Sequence, residues 1–179
     1  MEWNDVYDEN RNLTGKVHRR GTPWGAGEYG LVACVWVYDG RGHVLLTRRA
    51  RGKSYAGTWE NSGGAVQAGE TSREAVAREL FEETGIHFEI DRLAVVHENF
   101  FEGSNALEGY ECHEIAFYYL MKPRGTKELN SESYSCYGAR EEMCWLPIAE
   151  LDQYKAFPSF MKDYLQNPSD SVVHIGTRE

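Results

Sequence analysis

The sequence predicts an α/β fold, in which a mixed β-sheet is covered by helices on both faces as an α/β/α sandwich. Apolar, β-branched runs at residues 31–38 and 43–48 flank the turn Asp39-Gly40-Arg41-Gly42 and are typical of antiparallel strands. A well-capped amphipathic helix is predicted at residues 71–85. Strands that alternate with helices in one chain indicate a layered α/β architecture.

The remaining elements are less strongly marked. Further strands are predicted at residues 92–98, 113–121 and 143–146, and short helices near residues 148–154 and 157–166. We expect an N-terminal arm with one short strand at residues 1–28 and a C-terminal helical segment at residues 148–179. No change of composition marks a boundary, so residues 1–179 are predicted to form one domain.

Composition and charge exclude several classes of protein. Hydrophobic residues make up 41% of the 179 residues and aromatic residues 13%, which suits a folded domain with a real core. The formal net charge of −9 gives no long-range attraction to nucleic-acid phosphates, so we expect no nucleic-acid polymer as a partner. The longest apolar run, residues 31–38, is too short to span a bilayer, so we expect no membrane partner.

The cysteines and the first residues indicate a cytoplasmic protein. Cys34, Cys112, Cys136 and Cys144 are scattered without a CxxC pair, which argues against a disulfide framework and against a structural zinc site. The first residues have neither a basic lead nor an apolar run, so no signal peptide is expected.

The predicted helix has clear start and stop signals. Thr71 and Glu74 have the spacing of a capping box, and Gly85 is suited to end the helix. Val76 and Leu80, four residues apart, give the helix an apolar stripe that can pack against a sheet.

The same helix carries three glutamates whose spacing makes their negative charges repel one another. Glu79, Glu82 and Glu83 lie at i, i+3 and i+4, so they project from one side of the helix and repel one another. A hard divalent cation such as Mg²⁺ or Mn²⁺, bound by the carboxylate oxygens, would offset that repulsion. The alternative is a solvated acidic face, which requires no function.

The segment around the helix resembles a known motif. Residues 64–86, GAVQAGETSREAVARELFEETGI, contain a Gly, a Glu and an Arg-Glu-Leu-x-Glu-Glu-x-Gly-Ile run at the spacings of the complete Nudix box. The resemblance implies a Nudix-type α/β/α sandwich and a Mg²⁺- or Mn²⁺-dependent hydrolase that cleaves a small-molecule diphosphate. It implies catalytic roles for Glu79, Glu82 and Arg78, and metal binding by Glu79, Glu82, Glu83 and Glu70. Gly64 would let the backbone approach a ligand closely, and Arg78 could brace Glu82 one turn away.

Segments upstream of the box resemble one branch of the family. Residues 5–20 and 45–62 are similar to Nudix proteins related to isopentenyl-diphosphate isomerase. That similarity implies that Arg49 and Lys53 contact the diphosphate, and the alternative is a solvated basic loop. The isomerases need a cysteine where this chain has Gly64, so hydrolysis is favoured over isomerisation.

Other residues are weaker candidates. Glu114, Glu141 and Glu142 are carboxylates that could serve as a base or a further metal ligand, and surface or strand-end charge is the alternative. The main hypothesis is therefore cleavage of a nucleoside-diphosphate-X type substrate by water attack on phosphorus. An isomerase-like enzyme and a non-catalytic nucleotide-binding module are the alternatives. The resemblance also makes a homodimer plausible.

Overall fold

The computed structural model describes residues 2–51, 55–103, 108–129 and 142–178. Its strands are β1 (Trp3–Tyr7), β2 (Leu13–Arg19), β3 (Val32–Tyr38), β4 (His43–Arg48), β5 (Trp59–Glu60), β6 (Ser62–Ala65), β7 (Ile90–Glu102), β8 (Glu111–Met121), β9 (Glu142–Pro147), β10 (Ala156–Phe157) and β11 (Val173–Arg178). The helices are α1 (Ser72–Thr84), α2 (Met161–Gln166) and a 3₁₀ helix (Ile148–Gln153).

One mixed sheet forms the centre of the molecule. Its strand order is β10-β5-β4-β3-β8-β7-β11, with β6 also paired to β3 and β9 also paired to β4. The β3–β8 and β7–β11 pairs are parallel, whereas the β7–β8 and β4–β9 pairs are antiparallel. The mixed sheet predicted from the sequence is therefore confirmed.

Helices cover both faces of this sheet. Neighbouring residues of a strand point to opposite sides, so a central strand supplies side chains to the core on each face. Val35 of β3 packs in a cluster with Val76 and Leu80 of α1. The next residue, Trp36, packs in the other cluster with Met161 of α2 and with the 3₁₀ helix. The predicted sandwich is thus confirmed, with α1 on one face and α2 and the 3₁₀ helix on the other. None of the helices that the structure describes is long and apolar enough to cross a membrane.

Both ends of α1 are as the sequence predicts. The Thr71 hydroxyl accepts the Glu74 backbone N–H at 3.3 Å, and the Glu74 carboxylate accepts the Thr71 N–H at 2.8 Å. Gly85 ends the helix with φ at +68°, and its N–H donates to Phe81 O at 2.8 Å. These caps satisfy backbone groups that the helix itself leaves unpaired.

The N-terminal arm differs from the prediction of one short strand. It is a hairpin of β1 and β2, and the Asp8 carboxylate accepts the N–H groups of Asn10 and Asn12 in the turn. The polar composition of the arm conceals this hairpin, because only Val6 and a few neighbours face the body of the protein. Hairpins of this kind depend on turn chemistry more than on hydrophobic content.

The C-terminal segment contains one α-helix and the 3₁₀ helix, together with two strands that the sequence did not predict. β11 pairs in parallel with β7 along Val173–Arg178, and its residues alternate between half-buried and exposed. The strand includes a histidine, a glycine and an arginine, which weaken its hydrophobic signal. β6 was also missed, because Gly63 and Gly64 disfavour a strand in its interior.

Candidate active site

Arg78 is the centre of a carboxylate cluster on α1. Its Nε donates to Glu70 Oε1 at 2.7 Å and its Nη2 donates to Glu70 Oε2 at 3.0 Å, a two-point pairing. Its Nη1 donates to Glu79 Oε1 at 2.7 Å. One half-buried guanidinium therefore fixes the carboxylates of two glutamates that are nine residues apart in the chain.

The electrostatics of the cluster follow from this pairing. The hydrogen bonds from Arg78 lower the pKa of Glu70, although burial acts in the opposite direction. The two carboxylates in turn raise the pKa of Arg78, chiefly through the hydrogen bond to Glu70. The Glu70–Arg78 pair therefore stays ionised near neutral pH.

Arg78 pairs with Glu82, as the sequence indicated, but it pairs more closely with Glu70 and Glu79. Its Nη1 lies 3.6 Å from Glu82 Oε2, whereas the pairs with Glu70 and Glu79 are both at 2.7 Å. The reason is that the loop before α1 folds back and brings Glu70 against the guanidinium. The Glu82 side chain is 59% exposed and is open to solvent.

Gly64 lies directly against Glu79. A Cβ at position 64 would lie 2.6 Å from Glu79 Oε1 and 2.7 Å from its Cδ, so a side chain there would displace the carboxylate. β6, which carries Gly64, packs beside α1 and pairs with β3. The glycine therefore lets the backbone of β6 approach the Glu79 carboxylate closely, and its predicted approach to a ligand stays a prediction.

The donor set suits a hard divalent cation in its chemistry. Glu79, Glu82 and Glu83 project from one side of α1 and offer only carboxylate oxygens, which Mg²⁺ and Mn²⁺ prefer. Glu83 is half-buried, with Oε2 shielded from solvent. Within residues 2–51, 55–103, 108–129 and 142–178, no three His, Cys, Asp or Glu side chains already converge as a metal site. Binding would therefore draw the glutamates together, against the hold of Arg78 on Glu79.

Glu114 lies apart from this cluster. It is in β8 in register with Asn99 of β7, and strand alternation places it with Ala116 and Tyr118, on the sheet face that α1 does not cover. Burial raises the pKa of Glu114. On the same face, burial and the charge of Glu114 raise the pKa of the Cys34 thiol to about 12, so Cys34 is not a thiolate.

A basic groove of about 320 Å³ lies at the end of β4. Its charged lining residues are Arg48, Arg49, Arg51 and Glu142. Arg49 forms an ion pair with Glu60, and Arg48 Nη1 lies 3.3 Å from Glu142 Oε2. Glu142 therefore belongs to the groove and not to the α1 cluster. Lys53 and Glu141 lie outside the described residues, so their predicted roles stay predictions.

Sequence reasoning missed one contact beside the cluster. The hairpin residue Asp5 accepts a hydrogen bond from Gly69 just before Glu70. Asp5 belongs to no motif, and it is near the cluster only because of tertiary pairing. On the face opposite α1, Asn61 contacts the Cys34 thiol. Phe100 of β7 stacks on His113 of the neighbouring strand β8, with ring centroids 4.2 Å apart.

Comparison with known proteins identifies the family. The model of the NUDIX domain matches residues 28–167, which include α1, β6 and the glutamate cluster. An uncharacterized Nudix hydrolase of Listeria monocytogenes is 38% identical over 91 residues, covering 50% of this chain and 53% of that protein. The chain thus spans about half the length of that relative.

Two further relatives carry different names. The CTP pyrophosphohydrolase of Escherichia coli is 28% identical over 140 residues, which cover 78% of this chain and 96% of that protein. An isopentenyl-diphosphate Delta-isomerase of an Enterobacter species is 40% identical over 147 residues, which cover 81% of this chain and 79% of that protein.

Solved structures share the fold. The MutT protein from Bacillus halodurans superposes with a TM-score of 0.63 at 22% identity, covering 84% of this chain and 90% of that chain. The same family is indicated by the Nudix box at residues 64–86, by the matched domain and by the packing of α1 against the mixed sheet. The chain belongs to the Nudix family.

Proposed function

We propose that this protein is a pyrophosphohydrolase that uses Mg²⁺ or Mn²⁺ to cleave a nucleoside-diphosphate-X type substrate. The observation that carries the proposal is the ion-pair cluster in which Arg78 holds Glu70 and Glu79 beside Gly64. A helix that served only as a solvated acidic face would need no such bracing. The name of the Listeria relative, a Nudix hydrolase, also supports hydrolysis.

In the proposed reaction, the oxygen of water forms a bond to phosphorus while the bridging P–O bond breaks. A divalent cation held by Glu79, Glu82 and Glu83 would neutralise phosphate charge and lower the pKa of a bound water. Arg78 fixes the orientation of Glu79, and Glu70 in turn fixes Arg78. Glu82, the exposed member of the set, is open to accept a proton from water.

The basic groove supports binding of a diphosphate. Three arginines line the groove, and two of them are paired with carboxylates, Arg48 with Glu142 and Arg49 with Glu60, so the groove has a local positive excess on a protein with a net charge of −9. Arg49 is the groove residue that the resemblance also implies as a diphosphate ligand. We propose a small-molecule diphosphate as the substrate, and neither a nucleic-acid polymer nor a membrane as a partner. Homodimerisation and the cytoplasmic location stay predictions.

An isomerase-like activity is the second candidate, and the Enterobacter relative favours it. The residue at position 64 argues against it, because a glycine there supplies no thiol to move a proton on carbon. Cys34 does not supply the missing thiolate, since its raised pKa keeps it protonated. A purely ligand-binding module is less well supported than either enzyme.

The test is release of phosphate or pyrophosphate by the purified protein. The panel holds nucleoside triphosphates, nucleoside diphosphates, nucleoside-diphosphate sugars, dinucleotide cofactors and isopentenyl diphosphate. Each compound is assayed with Mg²⁺, with Mn²⁺ and with a chelator. We expect metal-dependent release from at least one nucleotide and no double-bond migration by NMR.

A matched pair of variants controls this assay. Glu82→Gln removes one carboxylate of the cluster, and Glu89→Gln removes an exposed one that lies outside the cluster and is paired with Lys122. We expect Glu82→Gln to lose at least about 100-fold in turnover while Glu89→Gln stays within twofold. Full activity in Glu82→Gln, or migration of the double bond in isopentenyl diphosphate, would refute the proposal.

A further inference from the structure

The N-terminal hairpin contacts the loop that leads into the glutamate helix. The side chain of Asn4, buried in β1, donates from Nδ2 to Val66 O at 2.8 Å. The backbone N–H of Ala68 donates to Trp3 O at 2.8 Å. The hairpin at residues 3–19 precedes the matched domain, which begins at residue 28. These hydrogen bonds therefore join a segment outside the matched domain to the loop before α1.

A third contact reaches the residue next to the site. The N–H of Gly69 donates to Asp5 Oδ2 at 2.8 Å. Gly69 has φ at +81°, a conformation that other residues rarely adopt, and no side chain of its own can anchor it. The carboxylate of Asp5 therefore fixes the backbone one residue before Glu70.

The loop transmits this hold to the glutamate cluster. Glu70 Oε2 accepts the N–H of Gln67 at 3.0 Å, which closes a tight turn around Gly69. The same carboxylate binds Arg78 through both oxygens, and Arg78 binds Glu79. A shift of Gly69 would therefore move Glu70, and with it the guanidinium that orients Glu79.

The hairpin is held firmly enough to act as a brace. Tyr7 and Tyr29 exchange both backbone hydrogen bonds, at 2.9 and 3.0 Å, which ties β1 to the segment before β3. Val6 is fully buried between these points. The charge of Arg78 also contributes to lowering the pKa of Glu2, after the larger effect of the hydrogen bond from Arg20, so the start of the hairpin lies close to the cluster.

We propose that Asp5 is a positioning residue for the reaction, which acts through Gly69 and Glu70 to hold Arg78 and Glu79 in place. This inference rests on the proposed hydrolase function. It gives the hairpin, which contains none of the predicted site residues, a role in turnover. Supporting contacts of this kind around a metal or catalytic site typically change activity about 10- to 100-fold.

The experiment compares three substitutions in the full-length chain. Asp5→Ala removes the acceptor of the Gly69 N–H, and Asp5→Asn retains an acceptor oxygen of the same reach. Asp8→Ala is the matched control, because Asp8 caps the hairpin turn and does not contact the loop before α1. We expect kcat to fall about 10-fold in Asp5→Ala, with KM within twofold, and to recover in Asp5→Asn.

A second measurement does not depend on turnover. The Nε–H of Arg78 donates to Glu70, so its NMR signal should exchange slowly with water. We expect Asp5→Ala to speed this exchange about 10-fold and Asp5→Asn and Asp8→Ala to leave it within twofold of the native protein. If Asp5→Ala does not fold, Asp5→Ser replaces it, since the shorter side chain cannot reach Gly69.

The outcomes separate the two proposals. Native kcat and native exchange in Asp5→Ala would overturn the positioning role, and so would equal losses in Asp5→Ala and Asp8→Ala that follow the melting temperature. If the native protein hydrolyses nothing in the panel, the proposed function fails. In that case the exchange of the Arg78 Nε–H still decides whether Asp5 holds the cluster.

Discussion

The pKa of a glutamate is shifted in opposite directions on the two faces of the sheet. On the face covered by α1, Glu70 is paired through both oxygens with Arg78, and the pKa of Glu70 is lowered. On the other face, Glu114 has no cationic partner among the described residues, and burial raises its pKa. The two acids have the same chemistry, so only their surroundings account for the difference.

This difference shows where the protein keeps negative charge available. The α1 face keeps Glu70 ionised and paired with Arg78, next to Glu79, Glu82 and Glu83, whose carboxylate oxygens are the ligand type that a hard divalent cation prefers. The other face holds an acid for which ionisation is costly, and such a site lowers the stability of the folded state at neutral pH.

The largest effect is expected from Arg78→Gln, which removes the cation that distinguishes the α1 face. Glu70 and Glu79 would lose their shared partner, so we expect hydrolysis to fall about 10- to 100-fold. The free energy of unfolding should fall by roughly 1–3 kcal/mol. Product release and urea denaturation measure the two effects. Arg73→Gln, an exposed arginine on the same helix, is the control and should be native in both; equal losses in the two variants would contradict this account.

Glu114→Gln should have the opposite sign for stability. Because the folded-state pKa is above the unfolded value, the native protein loses stability as pH rises from about 4.5, and glutamine avoids that loss. We expect the variant to be roughly 1–2 kcal/mol more stable at pH 7 and equal to the native protein near pH 3. Urea denaturation across this pH range measures the difference. A loss of stability at pH 7 would show that Glu114 has a favourable partner.

Thr71→Ala tests whether activity depends on the N-terminal cap of α1. The threonine hydroxyl caps the first turn, and its loss should lower the free energy of unfolding by about 1 kcal/mol. Activity per folded molecule should change less than threefold, because Arg78 and its partners remain. Thermal denaturation and product release measure the two quantities. Arg73→Ala, at an exposed position in the same turn, is the control and should be native in both. A loss of activity beyond threefold in Thr71→Ala would link the cap to the site.

The smallest effect is expected at His97, on the face opposite α1. Its Nε2 lies 2.8 Å from Thr177 Oγ1, and burial lowers its pKa. A histidine with a lowered folded-state pKa contributes stability that is present above about pH 6.5 and is lost as pH falls below it. We expect His97→Gln to reduce this loss by less than about 1 kcal/mol. Denaturation at pH 7.5 and pH 5.5 measures it, and an unchanged pH dependence would contradict the prediction.

Sequence patterns predicted the parts of the fold that local chemistry determines. The capping box at Thr71 and the stop at Gly85 depend on residues close in the chain, so both were predicted correctly. The β1–β2 hairpin was not predicted because its strands are largely polar and exposed, although they are close in the chain. β11 was not predicted because its partner β7 is distant in the chain and its own hydrophobic signal is weak.

The candidate site divides in the same way. The spacing of Glu79, Glu82 and Glu83 places them on one side of α1 and could be read directly. The preference of Arg78 for Glu70 and Glu79 could not be, since it depends on how the loop before α1 folds back. Asp5 is 64 residues from Gly69 in the chain and belongs to no motif.

The most direct test of the central claim is the affinity of the protein for Mn²⁺, measured by electron paramagnetic resonance of the free ion. The native protein, Glu82→Gln and Glu89→Gln are titrated under identical conditions. We expect Mn²⁺ binding to weaken at least about 10-fold in Glu82→Gln and to stay within twofold of the native protein in Glu89→Gln. Equal Mn²⁺ affinity in all three proteins would contradict the assignment of the α1 glutamates as the metal-binding set.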